Sequence, residues 1–488
     1  MSTAAPTATD TKYEMVVGLE VHVQLRTRTK LFCNCSTQFG EPPNRNTCPV
    51  CLALPGSLPV LNEAAVDLAT RAALALGADV AEESIFARKN YFYPDLPKGY
   101  QISQFDKPLA TKGSLVIGEH ADGSPHRIGI TRVHMEEDAG KSVHDRFPGV
   151  TAIDLNRAGV PLIEIVSEPD IRSSAEAGSY LRLLKQLLEY LDVSDLNMEE
   201  GSLRVDANIS IRERGAAKLG TKTEVKNMNS FSGVERALDA EFARQVAIVE
   251  AGAAIEQQTL LWDADRGTVR PARAKEGSHD YRYFPDPDLP PLRLTKKWIA
   301  QVREHLPELP DARRRRFAEE HKLGAYDIDV LTANPRLAEY FEAVSHALGD
   351  PKTAANWVMG EVLATLKNTG QTLDRFPVRP ADLAALLGMV RGGTVSNSAA
   401  KRIFALMVET GDRPEQIAER EGLAQVGDEA QLAAWVDEVL DAQPAEWQRY
   451  LGGEKKLLGV FVGAVMKKSG GRADPRKVNQ LLAARASG

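Results

Sequence analysis

What this chain lacks narrows it first. No uninterrupted apolar segment approaches the roughly 18 residues that a membrane-spanning helix needs, so no span is expected. The opening MSTAAPTATDTKYE has neither a basic start nor an apolar run, which argues against a signal peptide and for a cytoplasmic location. The familiar nucleotide loops are missing too. Ala139-Gly140-Lys141-Ser142 has the ending of a phosphate loop, but Met135 stands where that loop requires glycine. No Gly-x-Gly-x-x-Gly follows a strand, and no Gly-x-Ser-x-Gly elbow marks a serine hydrolase. Cysteine is scarce, four in 488 residues.

Those four are not scattered. Cys33-Asn-Cys35 and Cys48-Pro-Val-Cys51 lie twelve residues apart. Two close pairs joined by a short loop suit tetrahedral zinc, each pair offering two thiolates from one turn. Disulfides are the competing reading, disfavoured by the expected compartment and by the cramped Cys-x-Cys pair. Four thiolates leave no open coordination position, so such a zinc is structural, and no cysteine is left over as a nucleophile.

The length predicts more than one domain. A hydrophobic content of 43% and a charged content of 26% are those of a globular protein. The net charge of −7 argues against coating the whole surface with nucleic acid but allows a local basic patch. Strand patterns and helices mix up to about Pro291; beyond it, helical patterns broken by Pro and Gly dominate. The expected fold is therefore α+β: an antiparallel sheet with flanking helices, then an all-α helical domain, then a small α-helical tail domain. The boundaries are a flexible tail over 1–12, a sheet-bearing domain over 13–295, a helical domain over 296–411 and the tail domain over 412–488. Arg313–Arg316 reads as one solvated helix turn. In Gly453–Gly488 eight Lys and Arg face only Glu454 and Asp474, a use for which is phosphate contact.

Met15–Leu25 organises the first half. Its odd positions are all apolar, while Gly18, Glu20, His22 and Gln24 are small or polar, the period of a half-buried strand. Glu20 and His22 thus share one side. Alone, they are a metal site, an acid/base pair or merely an exposed face. Leu203–Ile211 repeats the pattern with Arg204 and Asp206 outward, and Thr221–Asn227 sets Lys222, Glu224 and Lys226 on one face. Glu164 sits inside the apolar run Leu162–Val166, where an acid is costly to bury unless paired or bound to a cation. Ser114–Ile117 and Ile128–His134 predict a hairpin leading into Glu136 and Glu137. Leu61–Gly77 and Leu181–Leu191 predict helices, as does the stripe Val234–Val249. Arg88–Gln104 and 276–290, rich in aromatics and Pro, read as ordered loops. If the polar faces share one side, Glu20, His22, Asp206 and Glu224 converge with Glu136, Glu137 and Glu164 nearby. Acids so close repel unless cations neutralise them. Oxygen donors with one imidazole suit Mg²⁺ or Mn²⁺, and Lys89, Arg204 and Lys226 could hold phosphoryl oxygens.

Long ordered motifs then carry a resemblance. VGLEVHVQLRTRTKLFCNCS at 17–36, CPVCLALPGSLPVLN at 48–62, RKNYFYPDLPKGYQISQ at 88–104 and EEDAGK at 136–141 closely resemble the B subunit of glutamine-dependent aspartyl/glutamyl-tRNA amidotransferase, the GatB/GatE family. So do DLNRAGVPLIEIVSEPD at 154–170, GSLRVDANIS at 201–210, TEVKNMNSF at 223–231 and DYRYFPDPDLP at 280–290. One departure is Ala53, where the family has Gly. The resemblance implies a cradle-like catalytic domain and a heterotrimer with an amidase A subunit and a small C subunit. It implies phosphorylation from Mg–ATP of the side-chain carboxylate of Glu on mischarged tRNA-Gln or Asp on mischarged tRNA-Asn. Ammonia channelled from the A subunit then displaces phosphate. By similarity, Glu20, His22, Glu137 and Glu164 are the metal-side residues. Lys89, Glu136, Asp206 and Glu224 are further members of the site, and Cys33, Cys35, Cys48 and Cys51 are the zinc knuckle. Elemental analysis of gently purified protein should find one zinc per chain; clearly substoichiometric metal would undermine the knuckle.

Overall fold

The computed structural model describes residues 12–272, 281–423, 429–470 and 472–487, so the expected tail over 1–12 lies almost wholly outside the described residues. The chain divides into two compact units, Met1–Pro310 and Asp311–Gly488.

The first unit is built on a twelve-stranded sheet. The opening strand Tyr13–Gln24 lies near its centre, between Leu203–Glu213 and Pro161–Ser167. Beyond Pro161–Ser167 follow Pro125–Glu137, Tyr100–Gln104, Phe86–Asn90 and Phe284–Pro285; on the other side follow Thr223–Lys226, Thr259–Asp263 and Thr268–Pro271. The alternation does what it foretells: Met15, Val17, Leu19, Val21 and Val23 are fully buried, while Glu20, His22 and Gln24 remain partly open. Helices Ser174–Tyr190 and Phe231–Glu250 cover the apolar face, with Leu184, Leu188, Val234 and Leu238 in the same core as the odd positions of the opening strand. The polar face is left without that cover. Capping residues start the helices of this unit: Asn62 Oδ1 accepts from Ala64 N at 3.0 Å, and Ser230 Oγ accepts from Gly233 N at 3.0 Å.

The sheet departs from the all-antiparallel expectation at one pair. Thr223–Lys226 runs parallel to Thr259–Asp263, because helix Phe231–Glu250 lies between them and supplies the crossover that a parallel pair requires. Arg88–Gln104 is not all loop either. Its two ends are strands paired antiparallel, and the aromatic and proline signals belong to the connection between them. Pairing with Pro125–Glu137 decides the matter, a long-range effect that local composition does not carry. Of the 276–290 stretch, 276–280 lies outside the described residues; Phe284–Pro285 adds a short strand to the sheet edge.

The second unit is helical with two separate apolar cores. One gathers Phe317, Phe341, Leu386, Phe404 and Ile417; the other, Leu432, Val436, Phe461, Val478 and Leu482. The basic run stays partly open to solvent, with Arg315 exposed, while Arg314 and Arg316 pair with Asp311 and Glu342, at 2.9 and 2.5 Å. In the tail, Lys468 and Arg485 pair with Glu438 and Asp437 of helix Glu429–Ala442, so part of the basic excess is neutralised locally. Leu19→Ala, emptying a fully buried position of the central strand, should cost the first unit about 2–5 kcal/mol in urea unfolding. Tyr326→Ala, at a position 76% exposed, should change the second by under about 0.5 kcal/mol.

Candidate functional site

Register places the polar side chains before any of them makes a contact. His22 stands opposite Arg204 on one neighbour and opposite Glu164 on the other, and Glu164 stands opposite His134. This row, Arg204–His22–Glu164–His134, crosses four strands on one face. Glu20 stands opposite Asp206 one step away, and Glu136 opposes Leu162, two residues from Glu164 on that face.

At the centre two imidazoles hold two enclosed carboxylates. His22 Nε2 lies 3.3 Å from Glu164 Oε2 and 3.6 Å from Glu136 Oε1. His134 Nε2 lies 3.4 Å from the same Glu164 oxygen and 3.9 Å from Glu136 Oε2. Burial opposes all of this charge, and the partners outweigh it. Desolvation would lower the His134 pKa, but hydrogen bonds to Glu136 and Glu164 raise it to about 9. His22 is raised against the same desolvation, chiefly by Glu164. Burial would raise Glu164 and Glu136, yet both are held below the usual carboxylate range by the histidines. One donor atom each from His22, Glu136 and Glu164 lies within 4.8 Å of the others. Cis ligands of an octahedral ion with bonds of about 2.1 Å stand about 3 Å apart, so this set can close on a hard divalent cation.

Cations and further acids flank the triad. Lys226 Nζ lies 2.6 Å from Asp206 and 2.9 Å from Glu224. Glu20 accepts from Asn208 Nδ2 at 2.8 Å; burial, Glu164 and Glu224 raise its pKa, with Lys226 pulling the other way. Arg204 Nη2 lies 3.0 Å from Asp138, which also accepts from Gln24 Nε2 at 2.8 Å. Lys89 sits over the ring of Tyr281, 4.9 Å from its centroid, and burial, which would lower its pKa, is outweighed by Glu136 and the nearby tyrosines.

Glu137 is elsewhere. Successive strand residues alternate faces, so Glu136 joins the triad and Glu137 turns to the other side. There it pairs with Lys98, accepts from Ile102 N at 3.0 Å, and lines a cavity of about 100 Å³ with Cys33, Cys51 and Lys98. Of the expected metal-side residues Glu20, His22, Glu137 and Glu164, the fold brings His22 and Glu164 together with Glu136, and sets Glu137 apart from them. Glu20 lines the same face but is outside the triad. Sequence reasoning misses His134, although its spacing of two from Glu136 in strand Pro125–Glu137 already puts both on one face. It misses Asp138 and Asn208 too, each being legible only through its partner.

The four cysteines form a second cluster. None is in a disulfide, and their sulfurs lie within 4.8 Å of one another, with Cys48 and Cys51 3.9 Å apart. Tetrahedral thiolates bonded at about 2.3 Å would stand about 3.8 Å apart, so the cage fits.

Known proteins share this chain over nearly its whole length. Residues 15–300 match the GatB/GatE catalytic domain, and residues 339–485 match the GatB domain. The B subunit of aspartyl/glutamyl-tRNA(Asn/Gln) amidotransferase from Prosthecochloris aestuarii is 52% identical over 470 residues, covering 96% of this chain and 97% of that one. Its counterpart from Carboxydothermus hydrogenoformans is 52% identical over 96% of this chain and 98% of its own length. That from Geotalea daltonii is 52% identical over 98% and 100%. The chain belongs to the GatB/GatE family of amidotransferase B subunits.

In chelator-treated protein the His134 ring should titrate near 9 by NMR. A folded pKa raised above the unfolded 6.5 gives stability that is fully present below about 6.5 and lost as pH rises through about 9. Urea midpoints should fall over that window in the wild type and change less in His134→Gln.

Proposed function

We propose that this chain is the transamidating subunit of a tRNA-dependent amidotransferase, a carbon–nitrogen ligase. It acts on Glu-tRNA(Gln), Asp-tRNA(Asn) or both. A side-chain carboxylate oxygen attacks the γ-phosphorus of ATP and ADP leaves. Ammonia then attacks the acyl carbon and phosphate leaves, giving the amide. The observation that carries this reading is the His22–Glu136–Glu164 triad on the polar sheet face, flanked by Arg204, Lys226 and Lys89. Carboxylate alone is a poor acyl donor, and an acyl phosphate is a good one, so a site for this reaction must bring together a phosphoryl donor and a carboxylate.

The residues fit that task. His22, Glu136 and Glu164 would hold Mg²⁺. When bound, that ion neutralises phosphate charge and polarises the reacting phosphoryl group. Arg204 and Lys226 supply fixed positive charge at the two flanks, each already aligned by a carboxylate, so neither needs to reorganise as charge develops. Lys89 completes the cationic rim on the side of Tyr100–Gln104. Glu20, Asp206 and Glu224 set the local charge that orients Lys226 and Asn208. The tyrosines packed around Lys89 narrow access for water, whose attack would hydrolyse an acyl phosphate.

The partners follow from the same chemistry. Free ammonia needs a source, and the relatives are named as B subunits, which fits an assembly with a glutaminase A subunit and a small C subunit. Cys33, Cys35, Cys48 and Cys51 would hold structural Zn²⁺ near where the acceptor end of tRNA is placed. The basic tail would contact tRNA phosphate. No described helix is long and apolar enough to cross a membrane.

In the complex with A and C subunits, Glu164→Gln should lower tRNA-dependent ATP cleavage about 10²–10³-fold while tRNA affinity at fixed salt is unchanged. Full activity in this variant would refute the site. Deleting 429–488, which spares Ile417 in the preceding core, should weaken tRNA binding and leave unfolding of the first unit unchanged; equal tRNA affinity would refute the role of the tail.

A further inference from the structure

One enclosed cation is used by nothing above. Lys30 is 0% exposed. Its ammonium donates to the Asn46 carbonyl at 2.6 Å and the Leu155 carbonyl at 3.2 Å, and stands 3.7 Å from Cys51 Sγ. Enclosing an ammonium is costly unless charge opposes it. Two carbonyls supply dipoles; Cys51 is the partner that can supply negative charge. A zinc with four thiolates carries a net charge of −2, and a buried cation against one sulfur offsets part of it. Donors to ligand sulfurs and partners that orient ligands commonly set metal affinity.

Lys30 also reaches the other centre. Its acceptor Leu155 opens the turn over 155–160, which is fastened to the knuckle at several points. Leu31 N donates to Gly159 O at 2.8 Å, Asn46 N to Asn156 Oδ1 at 2.8 Å, and Leu155 N to Asn44 Oδ1 at 2.8 Å. Gly159 has φ +86°, and a Cβ there would stand 3.4 Å from Lys30 Cδ and 3.7 Å from Cys51 Cβ, so turn and knuckle are in close contact. From this turn Gly159 N donates to Asp138 O, and Asp138 N to Val160 O, both at 2.8 Å. Asp138 in turn aligns Arg204.

We propose that Lys30 is a positioning residue shared by the two centres. It completes the tetrathiolate metal site by an N–H···S contact to Cys51, and it pins the 155–160 turn that fixes Asp138 and, through it, Arg204. This rests on the reading of the four cysteines as a metal centre. A lysine serving only the two carbonyls would leave the metal unaffected.

Cobalt substitution of the full-length chain tests it. A donor to a ligand sulfur stabilises its electrons, so Lys30→Met should move the thiolate-to-cobalt absorption to longer wavelength, and Lys30→Arg should restore most of the shift. Removing metal from the wild type should speed hydrogen exchange at the Asp138 and Gly159 amides by about tenfold or more. If the chain binds no cobalt with a thiolate band, the metal-centre reading fails and the inference with it. If cobalt binds but Lys30→Met has the wild-type band, the contact is refuted. If the two amides stay equally protected without metal, the coupling is refuted; this last measurement needs no variant to fold.

Discussion

The site depends on one interaction: two imidazoles, His22 and His134, share the oxygens of two enclosed carboxylates, Glu164 and Glu136. Neither acid could stay ionised in the wall of a sheet without them, since burial alone pushes both carboxyl groups toward the neutral form. Both histidines meet the same Glu164 oxygen, at 3.3 and 3.4 Å, so the cluster is a closed unit in which removing any member leaves charge unbalanced. A divalent cation held by His22, Glu136 and Glu164 would take over part of the neutralisation that protonated imidazole performs.

Everything around the cluster follows from register. Tyr13–Gln24 lies between Leu203–Glu213 and Pro161–Ser167, and the apolar sides of all three strands share one core. Its polar side is then left as a floor, and pairing with Pro161–Ser167 and Leu203–Glu213 decides which side chains face each other. A slip of one residue would turn His22 into the core and bring Val21 or Val23 to the site. The flanking cations are aligned by acids that do not belong to the cluster, so the electrostatics are layered: a centre of carboxylates and imidazoles, with positive groups at either side held in place by their own carboxylates.

Period-2 alternation made the polar face legible from Met15–Leu25 and Leu203–Ile211, and the apolar surroundings of Glu164 marked it as an acid needing a partner or a cation. The α+β class and the change to helices past Pro291 were legible for the same reason. What was not legible is whatever depends on pairing between distant strands. Glu136 and Glu137 are adjacent in sequence, and only the pairing of Leu162 with Glu136 shows which of them meets Glu164. The parallel pair at Thr223–Lys226, the strands at both ends of Arg88–Gln104, and the local partners of Arg316 and Arg485 are likewise set by contacts that no window of sequence contains.

The central claim is that His22, Glu136 and Glu164 together bind a divalent ion. Pulsed EPR of Mn²⁺ bound to the full-length chain tests it directly. The account predicts a bound ion with a directly coordinated imidazole nitrogen, a coupling absent in His22→Ala and retained in His134→Gln. Bound Mn²⁺ without any nitrogen coupling, or a coupling that survives in His22→Ala, would contradict it.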